Sequence, residues 1–255
     1  MSATSGTAAT AADHESARLI ARSVGEVLLE VRAQLGFADP RTLGAAGDRR
    51  AEELLQMLLH ERHPGDAVLS EESADDARRL GAPRVWVVDP LDGTREFSEE
   101  GRDDFAVHVA LVIDGTPVCG AVALPARDQV LATPGPFPGP PPHSGPLRIA
   151  VSRTRPPALA TDLAEALGAE LVPMGSAGVK VMAVVTGEAD LYVHGGGQYE
   201  WDSAAPVAVA LAAGLHASRL DGSSLRYNQP DPWLPDLVVC ANDRADEVLA
   251  TVAAL

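Results

Sequence analysis

The sequence predicts an α+β chain of two lobes, and three observations carry that prediction. Two amphipathic helical stretches precede any strand. Strands then follow one another through a tight Asp114-Gly115 turn, the mark of a hairpin. Last, the stretch Thr133 to Pro146 holds seven prolines and three glycines in fourteen residues and separates residues 1–132 from residues 147–255. Proline lacks the backbone donor and fixes φ, so this stretch neither pairs in a sheet nor continues a helix; it is expected to be an exposed loop or linker between the lobes.

The apolar positions Ala17, Leu19, Ile20, Val24, Val27, Leu28, Val31 and Leu35 recur at helical spacing and predict a first helix from about Asp13, closed by Gly36. A second is expected from about Asp48 to His60, buried along Ala51, Leu54, Leu55, Leu58 and Leu59. Gly47-Asp48 stands at its start, which offers Asp48 a plain role as an N-cap or first-turn acid. His60 and His63 have no cysteine or third histidine nearby, so they are read as a solvated helix end rather than a metal site. A short strand at Ala67 to Leu69 leads to Glu71-Glu72, which taken alone reads as a helix start, and residues 74–84 are charged enough to be surface. The β-branched run Val85 to Val88 is a buried strand that drives into Asp89-Pro90 and a turn carrying Asp92, Gly93 and Thr94. Alternation from Phe105 to Ile113 gives the next strand, with His108 on the face opposite Phe105 and Val107, expected half-exposed; a third runs from Pro117 to Leu124.

Beyond the proline-rich stretch, strands are expected at Leu147–Val151, Val172–Met174, Ala189–Val193 and Leu237–Cys240. Helices are expected at Pro156–Leu167 and Gly178–Thr186, and another closes the chain from about Arg244. Gly195-Gly196-Gly197 is a flexible loop, and Asp221-Gly222 marks a hairpin turn. The loop delivers the chain to a very apolar helix that runs to about Ala213; Pro206 suits only a helix's first turn, so Asp202 or Ser203 should cap it.

At 255 residues the chain can bury a sizeable core, and no apolar run approaches the roughly 18 residues of a membrane span. The first dozen residues lack a basic start and an apolar centre, so they read as a disordered leader, and the chain as cytoplasmic. Cys119 and Cys240 lie far apart in apolar segments and read as buried structural thiols. A formal charge of -16 and a pI near 4.7 argue against binding a nucleic-acid polymer. They leave a small phosphorylated substrate open, because a bound divalent cation reverses the local field.

Asp89 and Asp92, three residues apart in a tight loop, face one small volume and repel unless a cation sits between them. Hard oxygen donors of this kind suit Mg²⁺. A plain acidic surface turn accounts equally well for D-P-x-D-G alone. Asp48, Glu71 and Asp202 decide between the two, because all five acids fall at the ends of predicted elements. The set Asp48, Ser70-Glu71-Glu72-Ser73, Asp89-Pro90-Leu91-Asp92-Gly93-Thr94 and Trp201-Asp202-Ser203-Ala204-Ala205 resembles the metal-dependent, lithium-sensitive phosphatase superfamily of inositol monophosphatases, fructose bisphosphatases and nucleotide bisphosphatases. Within it the chain is most similar to CysQ-type 3′(2′),5′-bisphosphate nucleotidases, because Arg95-Glu96-Phe97 follows the acidic turn and no carboxylate lies between His194 and Gln198.

That resemblance implies a layered α-β-α-β-α sugar-phosphatase fold in two lobes, the first with most of the metal ligands and the second with the Trp201-Asp202 motif. It implies two to three Mg²⁺ ions: one on Glu71, Asp89 and the Leu91 carbonyl, one on Asp89, Asp92 and Asp202, and a looser third near Glu71. Asp48 and Thr94 would activate the attacking water, with Glu71 assisting. Glu71, Leu91, Asp92, Gly93, Thr94 and Asp202 would surround the substrate phosphate, and Arg95 and Lys180 are the candidates for a second phosphate. The implied activity is removal of the 3′-phosphate of adenosine 3′,5′-bisphosphate (PAP), or of its sulfated form PAPS, clearing a by-product of sulfate assimilation. Inositol monophosphate or fructose 1,6-bisphosphate hydrolysis is the alternative within the superfamily, and a silent cation-responsive binding protein the alternative outside enzymes. A homodimer is also among the family's expectations.

Overall fold

The computed structural model describes residues 8–137, 139 and 144–255. The leader read at the N-terminus and the middle of the proline-rich stretch lie outside the described residues. Helices α1 (Ala11–Leu35) and α2 (Pro40–Arg62) come first. Strands β1 (Ala67–Ser70), β2 (Arg84–Asp92), β3 (Ala106–Ile113), β4 (Thr116–Leu124) and β5 (Gln129–Ala132) follow, with the one-turn helix α3 (Thr94–Phe97) after β2. They form a sheet in the order β1-β2-β3-β4-β5, parallel only between β1 and β2. The second half supplies β6 (Arg148–Ser152), α4 (Ala158–Leu167), β7 (Glu170–Met174), α5 (Ala177–Thr186), β8 (Leu191–His194), β9 (Gln198–Tyr199), α6 (Glu200–Ala212), β10 (Leu215–Ser218), β11 (Trp233–Leu234), β12 (Leu237–Ala241) and α7 (Ala245–Ala254). Its main sheet runs β10-β12-β8-β6-β7, and β9 pairs with β11 alone.

Three apolar clusters fix the stacking. Ile20, Leu28 and Leu55 of α1 and α2 pack on Trp86, Val88, Val107 and Leu111 from one face of the first sheet. Val85, Ala106, Ala110 and Val122 on its other face meet α5 and α6 through Val181, Val185, Ala205 and Val209, and the same cluster reaches Tyr192 and Val239 of the second sheet. Beyond that sheet, α4 and α7 close the stack through Leu163 and Val248. The architecture is therefore an α+β layered fold, α-β-α-β-α, with α5 and α6 as the central layer.

Several local expectations change. The second helix starts at Pro40, eight residues before Asp48, with Asp39 as its cap, so Asp48 lies within the helix. Gly47 stands at the expected helix start, yet it and Gly44 lie inside α2 and serve close packing: a Cβ on Gly47 would stand 2.6 Å from Phe97, and one on Gly44 3.0 Å from Thr94. Glu71-Glu72 lies in a bend after β1, not at a helix start. Residues 74–84 are not all surface, since Arg79 is buried in a 3-10 turn, bonded to Asp75 and Asn228. His63 is not solvated; it packs on Trp86 with ring centroids 4.7 Å apart. His108 is fully buried because α5 and α6 cover the face that alternation left open. At the edge of the proline-rich stretch Thr133 is buried and bonds to Gly120, and Phe137 packs on the core. Pro206 sits inside α6, which begins at Glu200 with Tyr199 as its cap. Asp221-Gly222 forms a turn after β10 but not a tight hairpin, since the strand that returns antiparallel beside β10 is β12, which begins only at Leu237. Cys119 and Cys240 are free and buried, as expected.

The seam between the first sheet and α6 is tight at Gly120, where a Cβ would lie 2.7 Å from Ala208 Cβ and 2.8 Å from the Ala205 carbonyl oxygen. Gly120→Ala is expected to cost about 1–3 kcal/mol through overpacking, read as a lower urea midpoint; an unchanged midpoint would mean the seam is looser than described.

Candidate active site

The acidic turn grows out of β2. The strand runs four residues past Val88, and its pairing with β3 breaks register between Asp89 and Asp92. That irregularity turns both carboxylates toward the same end of the sheet. Asp89 Oδ1 accepts the Leu91 N–H at 2.9 Å, while its Oδ2 is buried with no hydrogen-bond partner. Gly93 then takes φ +90°, and a Cβ there would meet Ser176 at 3.3 Å and the Asp104 carbonyl at 3.4 Å. Thr94 opens α3, and its hydroxyl stands 3.2 Å from Asp48 Oδ1 and 3.3 Å from the Leu91 carbonyl.

Two helix starts in the second half converge on this turn. Ser176 caps α5 by accepting the Val179 N–H and donates to Asp92 Oδ2 at 2.5 Å; the Gly178 N–H donates to the same oxygen at 2.7 Å. Asp202 lies in the first turn of α6, where its Oδ2 accepts the Tyr199 N–H at 2.7 Å. Asp202 is therefore not the cap that the sequence suggested: it stands three residues after the cap Tyr199, and its side chain accepts that residue's backbone N–H.

The structure brings Asp48, Glu71, Asp89, Leu91, Asp92, Gly93, Thr94 and Asp202 around one end of the first sheet, with electrostatic coupling running among the acids. Glu71 stands at the exposed rim, yet local desolvation and then the charges of Asp92 and Glu72 push it up to about 7. Burial raises Asp202 to about 8, helped by Asp92, and Asp48 to about 6, helped by Glu72. Burial first, then Glu71, Asp92 and Asp202, hold Asp89 well above the usual carboxylate range. This is an oxygen-rich cluster of acids in mutual repulsion, with one orphaned buried oxygen. It fits hard divalent cations, and three of its side chains, Asp89, Asp92 and His108, bring ligand atoms within 4.8 Å of one another.

Two candidates are placed differently. Lys180 is buried, its Nζ donating to the Gly175 and Ser176 carbonyls at 3.2 and 2.5 Å, and it lines the cleft with Asp92 and Asp202. Arg95 is exposed, pairs with Glu99 and stands apart from that cleft. Sequence reasoning missed two residues. His108 places Nε2 3.3 Å from Asp92 Oδ2 and Nδ1 3.0 Å from the Trp201 carbonyl. Its face was legible from alternation, but what covers that face was not. Ser176 stands just before the helix expected from Gly178, and no local signal marks its side chain as a partner of Asp92.

The fold and the acid cluster together define a phosphatase class: the chain belongs to the inositol monophosphatase family, whose sequence profile matches residues 6–135 and 145–254. Among curated proteins it is 56% identical over 239 residues to a 3′-phosphoadenosine 5′-phosphate phosphatase of Mycobacterium bovis, covering 90% of this chain and 89% of the relative. The Mycobacterium leprae protein of the same name is 54% identical over 247 residues, covering 91% and 90%. Among solved structures, CysQ from Bacteroides thetaiotaomicron superposes with a TM-score of 0.76 at 27% identity, over 90% of this chain and 97% of that one.

The raised carboxylates set a pH dependence for the metal-free protein. Asp202 and Glu71 hold protons more tightly folded than unfolded, so the folded state loses stability as pH rises toward and through about 7 to 8. The buried histidines, whose folded pKa is lowered, act in the opposite sense only below their unfolded value near 6.5. Chelator-treated protein is therefore expected to melt at a lower temperature at about pH 8.5 than at about pH 6.5, and Asp202→Asn to flatten that fall. A melting temperature equal at both values would contradict the picture of crowded acids.

Proposed function

We propose that this protein is a metal-dependent phosphatase that hydrolyses the 3′-phosphate of adenosine 3′,5′-bisphosphate, giving AMP and phosphate. The observation that carries the reaction class is the Thr94 hydroxyl set between Asp48 and the Leu91 carbonyl, beside the acid cluster. Cation binding alone has no use for such a pair. The substrate follows from the likeness to the mycobacterial phosphatases, which extends over nine tenths of the chain. The cytoplasm, where such nucleotides arise, is the proposed compartment. Residues 1–132 and 147–255 are the proposed lobes, with the cleft between them.

Glu71, Asp89 and the Leu91 carbonyl would hold one Mg²⁺, and Asp89, Asp92 and Asp202 a second; Glu71 would help hold a third. Bound there, the ions neutralise charge on the phosphoryl oxygens and ease deprotonation of a water. The chain's own groups do the rest. Asp48 accepts a hydrogen bond from the Thr94 hydroxyl, which leaves the Thr94 oxygen lone pairs directed at a water and fixes its orientation. The water oxygen bonds to phosphorus as the bond to the ribose 3′-oxygen breaks. The water's proton passes to the Thr94 oxygen as the Thr94 proton passes to Asp48, and the ribose oxygen leaves and takes a proton from a solvent water. Backbone N–H groups of Gly93 and Thr94 cradle the phosphate, an approach that glycine at φ +90° leaves open. Ser176 and the Gly178 N–H keep Asp92 in one orientation throughout.

Phosphate release from adenosine 3′,5′-bisphosphate, inositol 1-phosphate and fructose 1,6-bisphosphate at matched concentrations tests the substrate. The nucleotide is expected to be fastest, and equal or faster release from inositol 1-phosphate would overturn the nucleotidase reading. Thr94→Ala is expected to lower kcat by roughly 10²–10⁴-fold while Mg²⁺ still raises the melting temperature. Loss of that thermal response would assign Thr94 to holding the fold of the turn instead.

A further inference from the structure

A cleft of about 800 Å³ opens beside the acid cluster, from Asp92, Ser176 and Asp202 in its interior to Arg155, Pro156 and the glycine loop 195–197 at its exposed mouth. That volume takes a small organic molecule, not a phosphate group alone. Among the described residues, two side chains of the lysine and arginine type line it, Lys180 and Arg155. His194 also lines it, but burial and the nearby Lys180 push its imidazole down to about 4, so it is neutral.

The two cations differ in what they have left to offer. The Lys180 ammonium is buried and already donates to two backbone carbonyls, and Asp92 and Asp202 act on its charge. The Arg155 guanidinium is exposed and, among the described residues, has no ion pair or hydrogen bond, while its backbone N–H donates to Ser152 Oγ at 3.3 Å. Its neighbour in the same loop has the opposite assignment. Arg153 reaches across to the first half of the chain, its Nη2 2.8 Å from Glu96 and 2.9 Å from Glu99.

We propose that Arg155 binds the second phosphate of the substrate, and this rests on the bisphosphate reading above. The acid cluster and its cations would take the phosphate that is cleaved, so a second dianion in the same cleft needs a separate cation. Near the carboxylates of Asp92 and Asp202 it would be repelled, and at the mouth it meets a guanidinium with all five donors free. A planar fork matches phosphate in a bidentate way that a lysine ammonium does not. The loop is also built to hold such a group still. Pro156 restricts Arg155 to an extended backbone, and Pro157 caps α4. Arg153 ties the other side to Glu96 and Glu99, so the backbone that carries Arg155 needs little ordering and only its own side chain is left for the phosphate to fix. The Arg95-Glu96-Phe97 sequence then bears on the cleft indirectly: Glu96, rather than Arg95, pairs with Arg153 in the loop that carries Arg155.

The test compares kcat/KM for adenosine 3′,5′-bisphosphate and for adenosine 3′-monophosphate, which lacks the second phosphate, in the Mg²⁺-loaded wild type and in Arg155→Ala and Arg155→Lys. The wild type is expected to prefer the bisphosphate. Arg155→Ala should cut that preference roughly 10- to 100-fold, mainly through KM, and Arg155→Lys should restore part of it. A wild type that does not turn over the bisphosphate defeats the substrate reading itself. A wild type that turns it over while the preference is absent, or survives Arg155→Ala, or falls because both substrates are slowed alike, overturns the role of Arg155 alone.

Discussion

Carboxylates buried at the end of β2 repel one another, and much of the architecture exists to hold them together. A strand that ended at Val88 would leave Asp89 and Asp92 in water at no cost. Here β2 continues to Asp92, and both side chains are buried. The cost is offset from several directions: Leu91 and Gly178 backbone N–H groups, the Ser176 hydroxyl, and the starts of α5 and α6, whose dipoles favour negative charge. Lys180 adds a buried positive charge behind them. One buried Asp89 oxygen still has no hydrogen-bond partner among the described residues, an acceptor of the kind a hard cation satisfies.

The same contacts join the two halves of the chain. Asp92 from the first sheet is bonded to the cap of α5, Asp104 accepts the Gly175 N–H and pairs with Arg102, and Glu96 pairs with Arg153. Gly175 has no room for a side chain, since a Cβ would fall 2.3 Å from Glu96. The acid cluster and the cleft wall are therefore set by one seam, and small changes there act on catalysis and on substrate choice together.

Much of this was legible in the sequence. The acids that matter stand beside strong local signals: a β-branched run ending in Asp-Pro, a Gly-Thr pair, and a Trp-Asp step entering an apolar helix. Element order and the cores of the long helices follow from spacing alone. What was hidden depends on packing across distance. Glycine at position 47 looks like a helix boundary until Phe97 is seen pressed against it. Alternation gives His108 a face, but only the docking of α5 and α6 makes that face interior. The short strands β5, β9, β10 and β11 carry too few residues to show a period. Nothing local marks Arg155, while Arg95 beside the acidic turn is the candidate for the second phosphate; only the cleft, which Arg155 lines and Arg95 does not, separates them.

The claim at the centre of this account is that the repelling carboxylates are a divalent-cation site. Anomalous scattering from a crystal grown with Mn²⁺ in place of Mg²⁺ tests it directly. The account predicts metal peaks in contact with Asp89, shared with Glu71 and the Leu91 carbonyl on one side and with Asp92 and Asp202 on the other. Saturating Mn²⁺ with no peak at Asp89 would contradict it.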